Sequence, residues 1–296
     1  MIFKKIIKYD IFLLESGESM NIQFVVNDYL LAWYLLFKPS FNEEIQKLKE
    51  KFWTNHQTEY SKMQKENIEI LKYTKDFIPD NDMLYNLVFD TEIFKEIKKE
   101  TERYKQKLLE VWDKKRKEID KNIKEIVRIK EMNTYTVLVL HPELDIIEFI
   151  KANPKKNIAF GKKKSDDGLL KNIIQILYTA LKYELGDFQK DNTEITTAIL
   201  DLAITNELYT RISGTTKYFE GYRKLRVLRK QLYPYFLMYL GCDKEELITY
   251  MMRDQIAFDI DKYTIERGLK KVDLYGFIDF CCKNQKYIIR LDDLNV

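Results

Sequence analysis

A chain of 296 residues with 45% hydrophobic and 14% aromatic side chains has ample apolar surface for a core, which excludes wholesale disorder. Its 50 basic and 47 acidic residues nearly cancel to a formal charge of +3, so global charge does not mark a nucleic-acid binder, although a local basic patch fits within that balance. Three cysteines, Cys242 and the adjacent Cys281 and Cys282, form no disulfide framework; the pair reads as small buried hydrophobes, and the expected compartment is a reducing cytoplasm.

Residues 1–19 begin basic, but their longest apolar run, Ile11 to Leu14, falls short of the roughly 7–15 residues of a secretory segment. Met20 is a candidate start, which would make 1–19 an N-terminal extension. The most apolar stretch, Tyr29 to Phe37, spans about half of the roughly 20 residues a bilayer requires, so no membrane association is expected. No glycine intervenes between Gly17 and Gly161, and only Pro39, Pro79, Pro142 and Pro154 interrupt that span. Such a stretch suits long helices, because tight turns usually need φ > 0.

A helix is expected from about Asn42 to Lys72, with Ile45, Leu48 and Phe52 on one side and a break at Pro79 before a helix capped by Asp82. From Thr91 to Ile129 the apolar residues Ile93, Ile97, Tyr104, Leu108, Trp112, Ile119, Ile123 and Ile126 recur at helical spacing and define one face of a long helix. Residues 20–130 therefore read as a helical domain, arm or hairpin, and a homodimer through that arm is the sharper alternative. The character changes at Asn133. Thr134 to Leu140 is β-branched and apolar, a second apolar piece runs from Asp145 to Ile150, and Asn157 to Lys162 reads as a short strand. Helices return over Leu169–Leu185, Thr193–Ile212, Tyr222–Leu240 and Lys244–Ile256, and Asp273 is placed to cap another reaching Cys282. The fold class is thus mainly α with a small central β-sheet (α+β), and 131–296 is taken as the α+β domain.

Only two histidines exist. His56 lies among polar residues and reads as solvated, while His141 follows a buried strand and precedes a turn proline. That leaves little room for a histidine metal site or a Ser-His-Asp triad, and no phosphate-cradling glycine loop is present, so neither metal nor cofactor is expected. Tyr178 and Lys182 stand four apart on one helix, but no glycine-rich turn accompanies them to support a dehydrogenase reading.

The order strand Asn157–Lys162, helix Leu169–Leu185, helix Thr193–Ile212 resembles the core of the zincin metallopeptidases, the gluzincins in particular. The resemblance covers about 55 residues and rests on element order. It implies an edge strand that binds extended peptide at Asn157, Ile158, Ala159, Phe160 and Gly161. It also places the HExxH positions on Tyr178 through Lys182 and the third ligand on Asp201, with Glu207 a further candidate. Tyr178, Thr179 and Lys182 stand where two histidines and a glutamate are required, so the resemblance implies a scaffold without zinc ligands, a pseudoenzyme.

Two other constellations carry chemistry. Arg223, Arg226 and Lys230 share a helix face with Arg229 beside them, and Tyr222, Tyr233 and Tyr235 flank them, a mixture suited to phosphates and stacked bases. Arg253, Asp254, Asp259 and Asp261 offer paired carboxylates without the glycine of a calcium loop, which favours a salt-bridge set. The first expectation is a non-catalytic protein- or peptide-binding protein on a zincin-like scaffold. The alternatives are nucleic-acid binding through Arg223, Arg226, Arg229 and Lys230 on the helix 222–235, and an enzyme using Tyr178, Lys182, Asp201 or Glu207. Lysine-, isoleucine- and tyrosine-rich usage suggests an AT-rich, bacterial source.

Overall fold

The computed structural model describes residues 20–65, 78–79, 82–129, 133–151, 156–163, 168–186, 189–215, 220–253 and 269–288. The expected N-terminal extension and the carboxylates Asp254, Asp259 and Asp261 lie outside the described residues. The protein is mainly helical with a small four-stranded sheet, the α+β class expected from the pattern. Among the described residues no helix is long and apolar enough to cross a membrane.

Strand β1 (Asn21–Val25) is followed by α1 (Asp28–Phe37), α2 (Glu43–Asn55), α3 (Gln57–Lys65), α4 (Asp82–Phe89) and the 36-residue α5 (Glu92–Val127). Asparagine or threonine side chains start three of these helices by accepting an otherwise unmatched backbone N–H: Asn27 from Leu30 at 2.9 Å, Asn42 from Ile45 at 3.1 Å and Thr91 from Phe94 at 3.2 Å. The sheet then completes itself with β2 (Thr134–Val139), β3 (Ile146–Lys151) and β4 (Lys156–Gly161). Its order is β1-β2-β4-β3, with the first three parallel and β3 antiparallel to β4.

Side chains of this sheet alternate between two apolar layers, because successive residues of a strand face opposite sides. Leu138, Leu140, Ile150 and Ala159 pack with α1, α2, α4 and the start of α5. Tyr135, Val137, Val139, Ile158 and Phe160 pack with the rest of α5 and the helices after the sheet. This double burial accounts for the near-continuous apolar run at Thr134–Leu140. Helix α5 serves both layers. Phe94 and Ile97 lie in the first, Tyr104 to Val127 in the second, and between them Glu100 and Tyr104 cross the carboxyl ends of β2 and β4.

Two expectations are corrected here. The long helix is the spine of the fold and not a projecting arm: the apolar stripe read from Ile93 to Ile126 is buried within the same chain along its whole length, Ile93 partly and the others fully. No apolar seam is left on it for a coiled-coil dimer. Nor is β4 an edge strand. β2 bonds one side and β3 the other, residues 157–161 are all buried, and a Cβ at Gly161 would sit 2.6 Å from the His141 carbonyl oxygen. Strand addition at Asn157, Ile158, Ala159, Phe160 and Gly161 therefore has no free backbone to use. The division expected at 130/131 also runs through the sheet, since β1 pairs with β2 from Asn21↔Thr134 to Val25↔Leu138.

After the sheet come α6 (Leu169–Glu184), α7 (Gln189–Leu200), a π-helix (Asp201–Leu208) and α8 (Tyr209–Ser213). A 3₁₀ turn (Arg223–Leu225) leads into α9 (Arg226–Leu240), and α10 (Lys244–Arg253), α11 (Leu274–Lys283) and α12 (Gln285–Ile288) follow. Asp273 caps α11 as expected, accepting from Gly276 N–H at 2.9 Å. Cys281 is buried as expected, while Cys282 is half-buried.

Candidate functional site

The most unusual local structure is the π-helix at Asp201–Leu208. In an α-helix, residues five apart point about 140° away from each other. The wider i→i+5 turn of a π-helix brings them nearly into line, and such turns collect at functional sites. Asp201 and Asn206 exploit that alignment, and Asn206 Nδ2 also donates to the Asp201 carbonyl at 2.6 Å. Both side chains grip the same short stretch before α9. Asn206 donates to the Glu220 carbonyl at 2.9 Å and accepts from Glu220 N–H at 2.8 Å. Asp201 Oδ2 accepts from Tyr222 N–H at 3.0 Å and from Arg229 Nη1 at 2.6 Å, and the same guanidinium nitrogen donates to the Tyr222 carbonyl at 2.9 Å.

The result is a clasp. A buried ion pair, with Asp201 3% and Arg229 1% exposed, holds both backbone groups of Tyr222, while Asn206 holds both backbone groups of Glu220. Gly221 lies between them at φ +135°, a conformation that side chains rarely adopt, and a Cβ there would overlap the Asp201 carboxylate. Tyr178 adds a hydrogen bond to Asp201 from α6. Burial pushes the Asp201 carboxyl above its ordinary range, opposed by Arg229, the Tyr222 amide and Tyr178. Burial likewise lowers Arg229, opposed by Asp201, and it raises the Tyr178 phenol, with Asp201 adding to the rise. For Asp201 and Arg229 desolvation and pairing thus pull in opposite directions, as expected of two charges withdrawn from water together.

The structure thus brings together three residues that the sequence placed in two separate constellations: Tyr178 and Asp201 from one, Arg229 from the other. It separates the rest. Glu207 is committed to Arg211, at 2.6 Å, which reaches on to Glu125 of α5 at 3.0 Å. Lys182 is half-buried on α6 and is not among the groups that act on Asp201. Arg229 is removed from the basic surface expected on 222–235, because it is buried and its guanidinium pairs inward with Asp201. Arg223 and Arg226 are exposed as expected, Lys224 is exposed with them, and Lys230 is half-buried. Tyr233 and Tyr235, expected to flank the patch, are buried, whereas Tyr222 is 58% exposed.

Sequence reasoning missed Asn206, Glu220 and Gly221. A period of 3.6 residues puts Asp201 and Asn206 on different faces, so nothing in the pattern announces that they act on one target. The lone glycine in FEGYRK is the one visible signal. His141 turns out to be structural: its ring accepts from Glu143 N–H at 3.3 Å, capping the Pro142–Leu144 turn, and its Nε2 lies 3.0 Å from Glu100. His56, expected to be solvated, is half-buried where it ends α2 against Phe52. Among the described residues no three His, Cys, Asp or Glu side chains gather as a metal-binding group would. No protein-family model, no curated protein and no solved structure matches this chain.

Proposed function

We propose that this chain binds nucleic acid through the exposed turn Tyr222–Arg226. The observation that supports this reading is the clasp itself. A buried ion pair spends two charges to hold the backbone of residue 222, and what it holds in place is a run of solvent-facing cations. Arg223, Lys224 and Arg226 are exposed, and among the described residues none of them is engaged in an ion pair. A fixed cluster of this kind neutralises phosphates without first ordering its own backbone, and released counterions supply the affinity.

The test is fluorescence anisotropy of a labelled oligonucleotide over a range of salt concentrations. Binding should weaken steeply with salt. The variant Arg223→Ala/Lys224→Ala/Arg226→Ala should lower the slope of log K against log salt by about 2, at roughly 0.7 per phosphate contact on a single strand. Absence of binding by the unaltered protein, or an unchanged slope in the variant, would refute the reading.

A protein partner is the competing reading. It would need surfaces other than β4 and the apolar stripe of α5, and a stoichiometric partner retained after nuclease treatment in a pull-down would favour it. The zincin-like scaffold is supported by the meeting of Tyr178 with Asp201, two positions that the resemblance assigns to metal ligands. Arg229 provides the positive charge facing that carboxylate, and β4 departs from the edge strand the resemblance implies. On this reading added Zn²⁺ leaves the melting temperature unchanged, and a saturable rise would show that the site takes metal.

A further inference from the structure

We infer that Tyr222 is a base-stacking residue and that the nucleic acid recognised at this turn is single-stranded. The inference rests on the nucleic-acid reading above and names the substrate class of the same site. Between Glu220 and Leu240 the described aromatic residues are Tyr222, Tyr233, Tyr235, Phe236 and Tyr239; the last four are buried, and Tyr222 is 58% exposed. Its N–H and its C=O are both bonded to the buried pair, to Asp201 and Arg229 respectively. The exposed ring therefore extends from a backbone anchored through both its N–H and its C=O, with Arg223 and Lys224 next in the chain and Arg226 beyond them.

An aromatic ring beside guanidinium and ammonium groups meets the two parts of a nucleotide separately, the base by its face and the phosphate by charge. In a duplex the base faces are already stacked on one another, and recognition falls to groove edges and backbone. A single strand leaves those faces free, so a rigid exposed tyrosine discriminates between the two forms. The geometry also explains why Arg229 faces inward. Sacrificing one cation of the patch fixes the direction in which the ring and the remaining cations point.

Tyr222→Ala tests this without threatening the fold, because the tyrosine is held through its backbone and alanine keeps both bonds. Measured by anisotropy on a single-stranded oligonucleotide and on its duplex, Tyr222→Ala should weaken single-strand binding by about tenfold and leave duplex binding and the salt slope unchanged. Tyr222→Trp should restore single-strand affinity, and its indole emission should be quenched as the strand is titrated in. Unchanged single-strand affinity in Tyr222→Ala, or an equal loss on strand and duplex, would overturn the inference. If the Arg223/Lys224/Arg226 variant loses binding while Tyr222→Ala does not, only the stacking role fails. If the unaltered protein binds neither form, the nucleic-acid reading fails with it.

Discussion

Replacing Arg229 by methionine removes the guanidinium but keeps an unbranched apolar stem of similar reach. Asp201 would then be a carboxylate 3% exposed, with Tyr222 N–H and the Tyr178 hydroxyl as its remaining donors. Breaking a buried pair by deleting one partner costs about 3–5 kcal/mol. The lower end, about 3 kcal/mol, is expected here, because two donors stay and burial already favours the neutral carboxyl. Asp201→Asn strands the guanidinium instead and should cost a similar amount. In the double variant neither charge is left buried and alone, so the total should stay near about 3 kcal/mol, a coupling of about 3 kcal/mol between the two positions. Urea unfolding followed by tryptophan fluorescence measures all four corners of the cycle, and each single variant should also lower Tm by about 6–10 °C. A cost below about 1 kcal/mol for Arg229→Met, or additivity of the two changes within about 0.5 kcal/mol, would refute the argument that the pair acts as one unit.

Gly221→Ala should destabilise by at least about 2 kcal/mol, since it combines a strained φ with overlap on Asp201; a urea midpoint within error of the unaltered protein would contradict the described turn. Asn157 is fully buried in β4, and among the described residues neither its Nδ2 nor its Oδ1 has a hydrogen-bond partner, so Asn157→Leu should raise stability by about 1–3 kcal/mol in the same assay. A loss of stability would instead reveal a buried water that satisfies the amide. Burial, with Glu246, Glu207 and Asp243 nearby, pushes the Cys242 thiol up to about 12. At pH 8 its thiolate fraction should be about 10³-fold below that of an ordinary cysteine, and iodoacetamide labelling mapped by mass spectrometry should leave it slow in the native state and fast in urea. Labelling at the free-cysteine rate would show the thiol to be solvated.

Much of the architecture was legible in the linear pattern because it repeats within single elements. The stripe from Ile93 to Ile126 marked one helix and its buried face, and Asp273 stood where a cap was needed. The apolar run at Thr134–Leu140 marked a strand, and the structure covers it on both sides. β1 escaped notice, although Ile22 and Phe24 alternate with Asn21 and Gln23, because so short a strand is recognisable only beside its partner β2. The expected single helix at Asn42–Lys72 is two helices, α2 and α3, within the described residues, divided at His56 where the chain briefly leaves helical geometry.

The sequence by itself determined most of the helices and the strands after residue 133, where the basic run lies and which residue types are too scarce for histidine-based chemistry. These properties depend on neighbours three or four positions away. Only the tertiary structure decided that β4 is interior, that α5 is a spine, and that Arg229 turns inward to Asp201 while Tyr222 stays outside. Those outcomes depend on where distant segments return to meet. A charged side chain shows the same letter whether it faces water or a buried partner, and the burial that separates the two cases exists only once the chain has closed around it.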